Sequence, residues 1–139
     1  MAGDRKFDTD MAHLCSFLRF ELGLLVTSKH VGYFGQAMRV RQLGFPITYS
    51  LNSLFIDEAD CGVFEGSSAS TGTGREVERL LAQGKRVFYL VNFMATYHSA
   101  MVEGDQNPNL TVFQYRDIDK AKQFLREKIE KIKEQKYDS

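Results

Sequence analysis

The chain reads as an α/β sandwich built on a parallel sheet, and three observations carry that reading. Short apolar runs, among them Cys61–Phe64 and the RVFYLV stretch from Arg86, alternate with amphipathic helical stretches. Runs without polar alternation suit strands covered by helices on both faces. Glycines stand at positions 23 and 84, where helical periodicity stops and a left-handed residue is wanted. The length, 139 residues, is that of one domain spanning 1–139, long enough to bury roughly 70% of the surface its unfolded chain exposes.

Each element follows from local chemistry. Asp8 or Thr9 caps a first helix from about Asp10 to Leu22. Met11, Cys15, Leu18 and Leu22 form its inner stripe, widened by Leu14 and Phe17. Gly23 ends it, and Leu24–Thr27 is a short buried strand. A loop from Ser28 to Gly35 carries His30 and Tyr33. Gln36–Gln42 is a helical stretch stopped by Gly44 and Pro46, and Tyr49–Glu58 is another, with Leu51, Leu54 and Phe55 on one face.

Cys61–Phe64 is the next strand, followed by a polar loop from Glu65 and a helix from about Gly74 to Gln83. Val77, Leu80 and Leu81 point inward from that helix. Arg86–Val91 is a second core strand. Asn92–Asn109 is a long connection, a feature that often carries function. Leu110–Tyr115 is the last strand. Asp117 caps a closing helix whose stripe is Ala121, Phe124, Leu125, Ile129 and Ile132.

Bulk properties exclude several classes. Lys plus Arg and Asp plus Glu each number 18, so the formal net charge is zero. That argues against a nucleic-acid binder driven by phosphate neutralisation. The Lys-rich stretch Lys120–Lys136 is interleaved with Glu and reads as a solvated helix face. Cys15 and Cys61, the two cysteines, lie in apolar patterns and read as buried inert thiols. No Cys/His cluster has metal-ligand spacing. No signal peptide or membrane span is visible, so a reducing, cytoplasmic setting is expected.

The chemistry-bearing stretch runs from Ala59 to Val91. Ser67, Ser68, Ser70, Thr71, Gly72, Thr73 and Gly74 form a small, hydroxyl-rich turn opening onto a helix. Such a turn lets backbone N–H groups approach an anion; the same composition also serves an ordinary polar loop. It is no P-loop, because no Gly-Lys-Ser/Thr closes it. Glu76 falls in the expected first helical turn, where a carboxylate also has a dipole rationale. Asp60 precedes the strand and is equally at home as a turn residue. Both flank one strand-turn-helix unit, with only Glu76 clearly on the predicted ligand side, and paired carboxylates suit glycosidic chemistry, one as nucleophile and one as acid/base or orienter. His30 follows a strand end and either contacts a ligand or faces solvent. Arg75 either favours a nearby anion or lies on the surface.

These residues resemble the nucleoside 2-deoxyribosyltransferase superfamily. The likeness is carried by AD-CGVFEG-SSA-STGTGRE-VERLLAQGKRVFYL, with LGLLVTSKHV, HSAMVEG and MAGDRKFDTDM agreeing elsewhere. Within the superfamily the chain is most similar to the 2′-deoxynucleoside 5′-phosphate N-hydrolase branch. The resemblance implies a flavodoxin-like (Rossmann-like) three-layer sandwich with four to five parallel strands. It implies Glu76 as nucleophile at C1′ and Asp60 as the second catalytic acid. It implies Ser70, Gly72 and Gly74 as the phosphate cradle, with His30 and Gly3 also binding substrate.

Ser99 is implied to reach the phosphate in a neighbouring subunit, and hence a homodimer. No cofactor and no metal are implied, and the partner is a small nucleotide or nucleoside rather than nucleic acid or membrane. Six residues before the nucleophile, the transferases place Asp, whereas this chain has Ser70. A hydroxyl can donate to a 5′-phosphate that a carboxylate would repel. Hydrolysis of nucleoside monophosphates is therefore expected ahead of base exchange or non-catalytic nucleotide binding. Two positions depart from the pattern. The strand that precedes Ala-Gly in the family is nearly absent here, and Arg75 stands where the branch commonly has an aromatic residue.

Overall fold

A computed structural model describes residues 8–23, 53–54, 56–68, 71–96 and 98–137. Its elements, in chain order, begin with helix α1 (Asp8–Ser16), which runs on into a π-helical turn over Phe17–Glu21. Strand β1 (Cys61–Glu65), helix α2 (Thr71–Ala82) and strand β2 (Arg86–Asn92) follow. A one-turn helix α3 (Ala100–Glu103), strand β3 (Leu110–Tyr115) and the long helix α4 (Ile118–Tyr137) complete the set. Residues 53–54 and 56–58 are helical, as expected for that stretch. The expected elements between Leu24 and Gln42 lie outside the described residues.

The described strands form a parallel sheet of order β1-β2-β3. β2 is central, and its five residues from Val87 to Val91 are all buried. Alternation along an extended chain sends successive side chains to opposite faces. Phe88 and Leu90 accordingly join Leu14, Phe17, Leu18 and Leu22 of the first helical segment and Ala121, Leu125 and Ile129 of α4. Val87, Tyr89 and Val91 join Val77, Leu80 and Leu81 of α2, with Ala95 and Val102. Helices therefore cover both faces, which is why an uninterrupted apolar strand was required.

Local signals account for the boundaries. Gly23 and Gly84 have φ of 66° and 74°. After α2, the Gly84 N–H donates to the Leu81 carbonyl and the Lys85 N–H to the Leu80 carbonyl, a Schellman closure. Asp117 caps α4 by accepting from the Lys120 N–H at 3.0 Å. The one sizeable difference from the expected boundaries is the start of α2. It begins at Thr71, not near Gly74, so Gly72 and Gly74 are helical and Glu76 lies in the second turn. Glycine disfavours helix interiors, but core packing by Val77, Leu80 and Leu81 carries the helix through its glycine-containing start. Cys15 and Cys61 are free thiols, and burial raises both above the ordinary thiol range, which keeps them unreactive. Among the described residues no helix is long and apolar enough to cross a membrane.

Candidate functional site at the carboxyl edge of the sheet

In open parallel sheets ligands gather beyond the carboxyl ends of the strands. Here those ends are Glu65, Asn92 and Tyr115, and all three are polar and tied together. Glu65 is 8% exposed. Its Oε1 accepts the Ser67 backbone N–H at 2.6 Å, and its Oε2 accepts the Ser67 hydroxyl at 2.9 Å. The Asn92 N–H donates to Ser67 Oγ at 2.7 Å. The Tyr115 hydroxyl lies 2.6 Å from Glu65 Oε2 and 2.9 Å from Asp10 Oδ2 of α1. Asn92 Nδ2 donates to the same Asp10 oxygen at 3.1 Å. Burial, opposed in part by the Ser67 and Tyr115 hydrogen bonds, holds the Glu65 carboxyl above its ordinary range. Burial and the adjacent Glu65 likewise push the Tyr115 phenol upward.

The chain leaves β1 through Gly66, whose N–H continues the ladder to the Leu90 carbonyl at 2.7 Å. A Cβ on Gly66 would run into the Tyr89 ring, so only glycine allows this exit. α2 then rises from the same edge. The first turn of an α-helix directs backbone N–H groups along its axis, and here that turn contains Gly72 and Gly74. Around Gly74 an added Cβ would meet nothing within 4 Å, so the backbone there is open to close approach. Glu76, one turn further on, is half-buried. Its carboxyl is pushed up to about 7 by burial. A carboxyl in that range changes charge near neutrality, as functional groups often do.

Asp60 is placed differently from its expected partner. It is exposed and precedes β1 at the amino end, whereas α2 follows the carboxyl end. Five residues of strand, roughly 16 Å at extended rise, separate the two edges. α2 runs back along β1 from the carboxyl edge, and Glu76, its sixth residue, lies roughly 7–8 Å along it. Ser99 stands at the N-cap of α3, half-buried, and its hydroxyl makes no capping bond. Its N–H is held by Glu103 Oε2 at 3.0 Å, and His98 Nδ1 lies 3.0 Å from Glu103 Oε1. Gly3, His30 and Ser70 lie outside the described residues.

Sequence reasoning missed Glu65, Tyr115, Asn92 and Asp10 as a cluster. The available signal was a polar residue closing each apolar strand.

No protein-family profile and no curated protein sequence matches the chain. Among solved structures it is similar to the CMP N-glycosidase BcmB of Clostridium botulinum. That match has a TM-score of 0.58 and 23% identity, and it covers 84% of this chain and 89% of that one. The likeness establishes a shared α/β, Rossmann-like fold.

Proposed function

We propose that this protein hydrolyses the N-glycosidic bond of (deoxy)nucleoside 5′-monophosphates and belongs to the nucleoside 2-deoxyribosyltransferase superfamily. The observation that carries the reading is Glu76. It is a half-buried carboxyl pushed up to about 7, one turn into a helix whose glycine-containing start rises from the carboxyl edge of the sheet. The shared fold with a CMP N-glycosidase and the resemblance of STGTGRE and HSAMVEG to the hydrolase branch support it.

In this reading the N-terminal turn of α2 and the Ser70 hydroxyl receive the 5′-phosphate, as helix N-termini receive anions. Ser99 of a second copy completes the cradle, which makes the active form a homodimer. Ionised Glu76 attacks C1′ as the C1′–N bond breaks, through a transition state of oxocarbenium character. Water then cleaves the glycosyl-enzyme ester, releasing (deoxy)ribose 5-phosphate and regenerating the carboxylate. Asp60, the second carboxylate the resemblance implies, orients the sugar or assists proton transfer to the departing base.

Chromatography of CMP, dCMP and dGMP beside their unphosphorylated nucleosides tests the reading. Base release from the monophosphates alone is expected. Exchange of a free base onto deoxynucleosides would instead identify a transferase. Thermal stabilisation by nucleotides without turnover would identify a binding module.

A further inference from the structure

We infer that Glu65, Tyr115 and Asp10 share one proton beyond the phenol's own, with Glu65 as a neutral carboxylic acid donating to Tyr115 and Tyr115 donating to ionised Asp10. The contacts of the cluster require one hydrogen more than its neutral donors supply. The Asn92 N–H occupies Ser67 Oγ at 2.7 Å, so the Ser67 hydroxyl proton goes to Glu65 Oε2 at 2.9 Å. The Ser67 N–H goes to Glu65 Oε1 and the Asn92 amide to Asp10 Oδ2. Two contacts then remain, Glu65 Oε2 to the Tyr115 oxygen at 2.6 Å and that oxygen to Asp10 Oδ2 at 2.9 Å.

A phenol has one proton and can serve one of these contacts. With both carboxyls ionised, the other contact would oppose lone pairs, and two like charges would flank one buried hydroxyl. One added proton completes both hydrogen bonds. It belongs on Glu65, the more buried carboxyl, since Asp10 is half-buried and already accepts from Asn92.

The trio joins three elements: α1 through Asp10, β1 through Glu65 and β3 through Tyr115. Among the described residues Tyr115 is the titratable group hydrogen-bonded to Glu65, and Asp10 faces it across the same phenol oxygen; from β2 the neutral Asn92 enters the cluster. Loss of the shared proton at higher pH leaves two adjacent carboxylates and loosens α1 from the edge. The cluster lies on the α1 and α4 side of the sheet, with Tyr115 in that core. It is thus a positioning device for the carboxyl edge, separate from Glu76 on the α2 side. The inference stands whether or not the chain is a glycosidase.

Carbon-detected NMR of side-chain carboxyls on the full chain tests it. One Glu carboxyl signal, assigned by its absence in Glu65→Gln, is expected at the protonated position at pH 7. In Asp10→Asn the amide oxygen still accepts from Tyr115 and Asn92 but the like charge facing Glu65 is gone, so the Glu65 titration should fall by about one pH unit or more. Simple burial would leave it unmoved. Amide exchange in α1 should quicken above the Glu65 titration in the unmodified protein and not in Glu65→Gln, whose side chain cannot ionise. An ionised Glu65 at pH 7, or a titration unchanged by Asp10→Asn, overturns the inference.

Discussion

The two edges of the sheet handle carboxylates in opposite ways. At the amino edge, Asp57 is exposed and receives Arg79 Nε and Nη2 at 2.9 Å each and Gln83 Nε2 at 2.6 Å. Lys85 Nζ reaches the Ile56 and Asp57 carbonyls at 2.9 Å. The Arg79 and Gln83 hydrogen bonds pull the Asp57 carboxyl down to about 2. At the carboxyl edge, Glu65 accepts from Ser67 and Tyr115 rather than from a cation among the described residues, and burial pushes it upward, as it does Glu76 on α2. An exposed carboxylate with a matched guanidinium is fixed in charge and serves structure. Burial without such a partner raises a carboxyl, and Glu76, at about 7, changes charge near neutrality and is fit for chemistry.

The largest effect that could break this comparison is on turnover. Glu76→Gln should lower base release from nucleoside monophosphates by roughly a thousandfold or more, as loss of a nucleophile does. In the unmodified protein kcat/KM, which reports free-enzyme ionisations, should rise with pH through about 7. A flat profile would separate Glu76 from the attack.

Stability should carry the same signature. The folded Glu76 carboxyl sits above its ordinary value of 4.5, near 7, so the native state binds more protons than the unfolded chain between those values. Its contribution is present in full below about 4.5 and is lost as pH rises through about 7, amounting to at most about 3 kcal/mol. Denaturant titrations across that window should show stability falling with pH, and Glu76→Gln should flatten the slope.

Glycine replacements sharpen the contrast at smaller scale. Gly66→Ala drives a methyl into the buried Tyr89 ring and should cost about 2–3 kcal/mol in chemical denaturation. Gly84→Ala at the amino edge meets open space but must adopt φ near 74°, for about 1–2 kcal/mol. The smallest expected change is Asp57→Asn, which removes an exposed pair. Its contribution exists above the unfolded carboxylate range and disappears as pH falls through about 2, so melting at neutral pH should shift slightly and melting near pH 2 not at all.

The fold was largely legible because its signals are local. The runs that became β1, β2 and β3 end within one residue of the expected positions, and Gly84, Asp117 and the α4 stripe act as their chemistry dictates. α2 was misjudged at its start because glycine spacing says nothing of the core contacts that extend a helix. The site was half legible. Glu76 and the glycines stand out in one contiguous stretch, but Asp10 and Tyr115, 105 residues apart, meet only because a parallel sheet brings strand ends to one edge.

The most direct test of the account is a side-by-side assay of base release from CMP and dCMP by Glu76→Ala and Asp60→Ala. A silent Glu76→Ala is predicted, with Asp60→Ala slowed but still releasing base; undiminished release by a folded Glu76→Ala would contradict it.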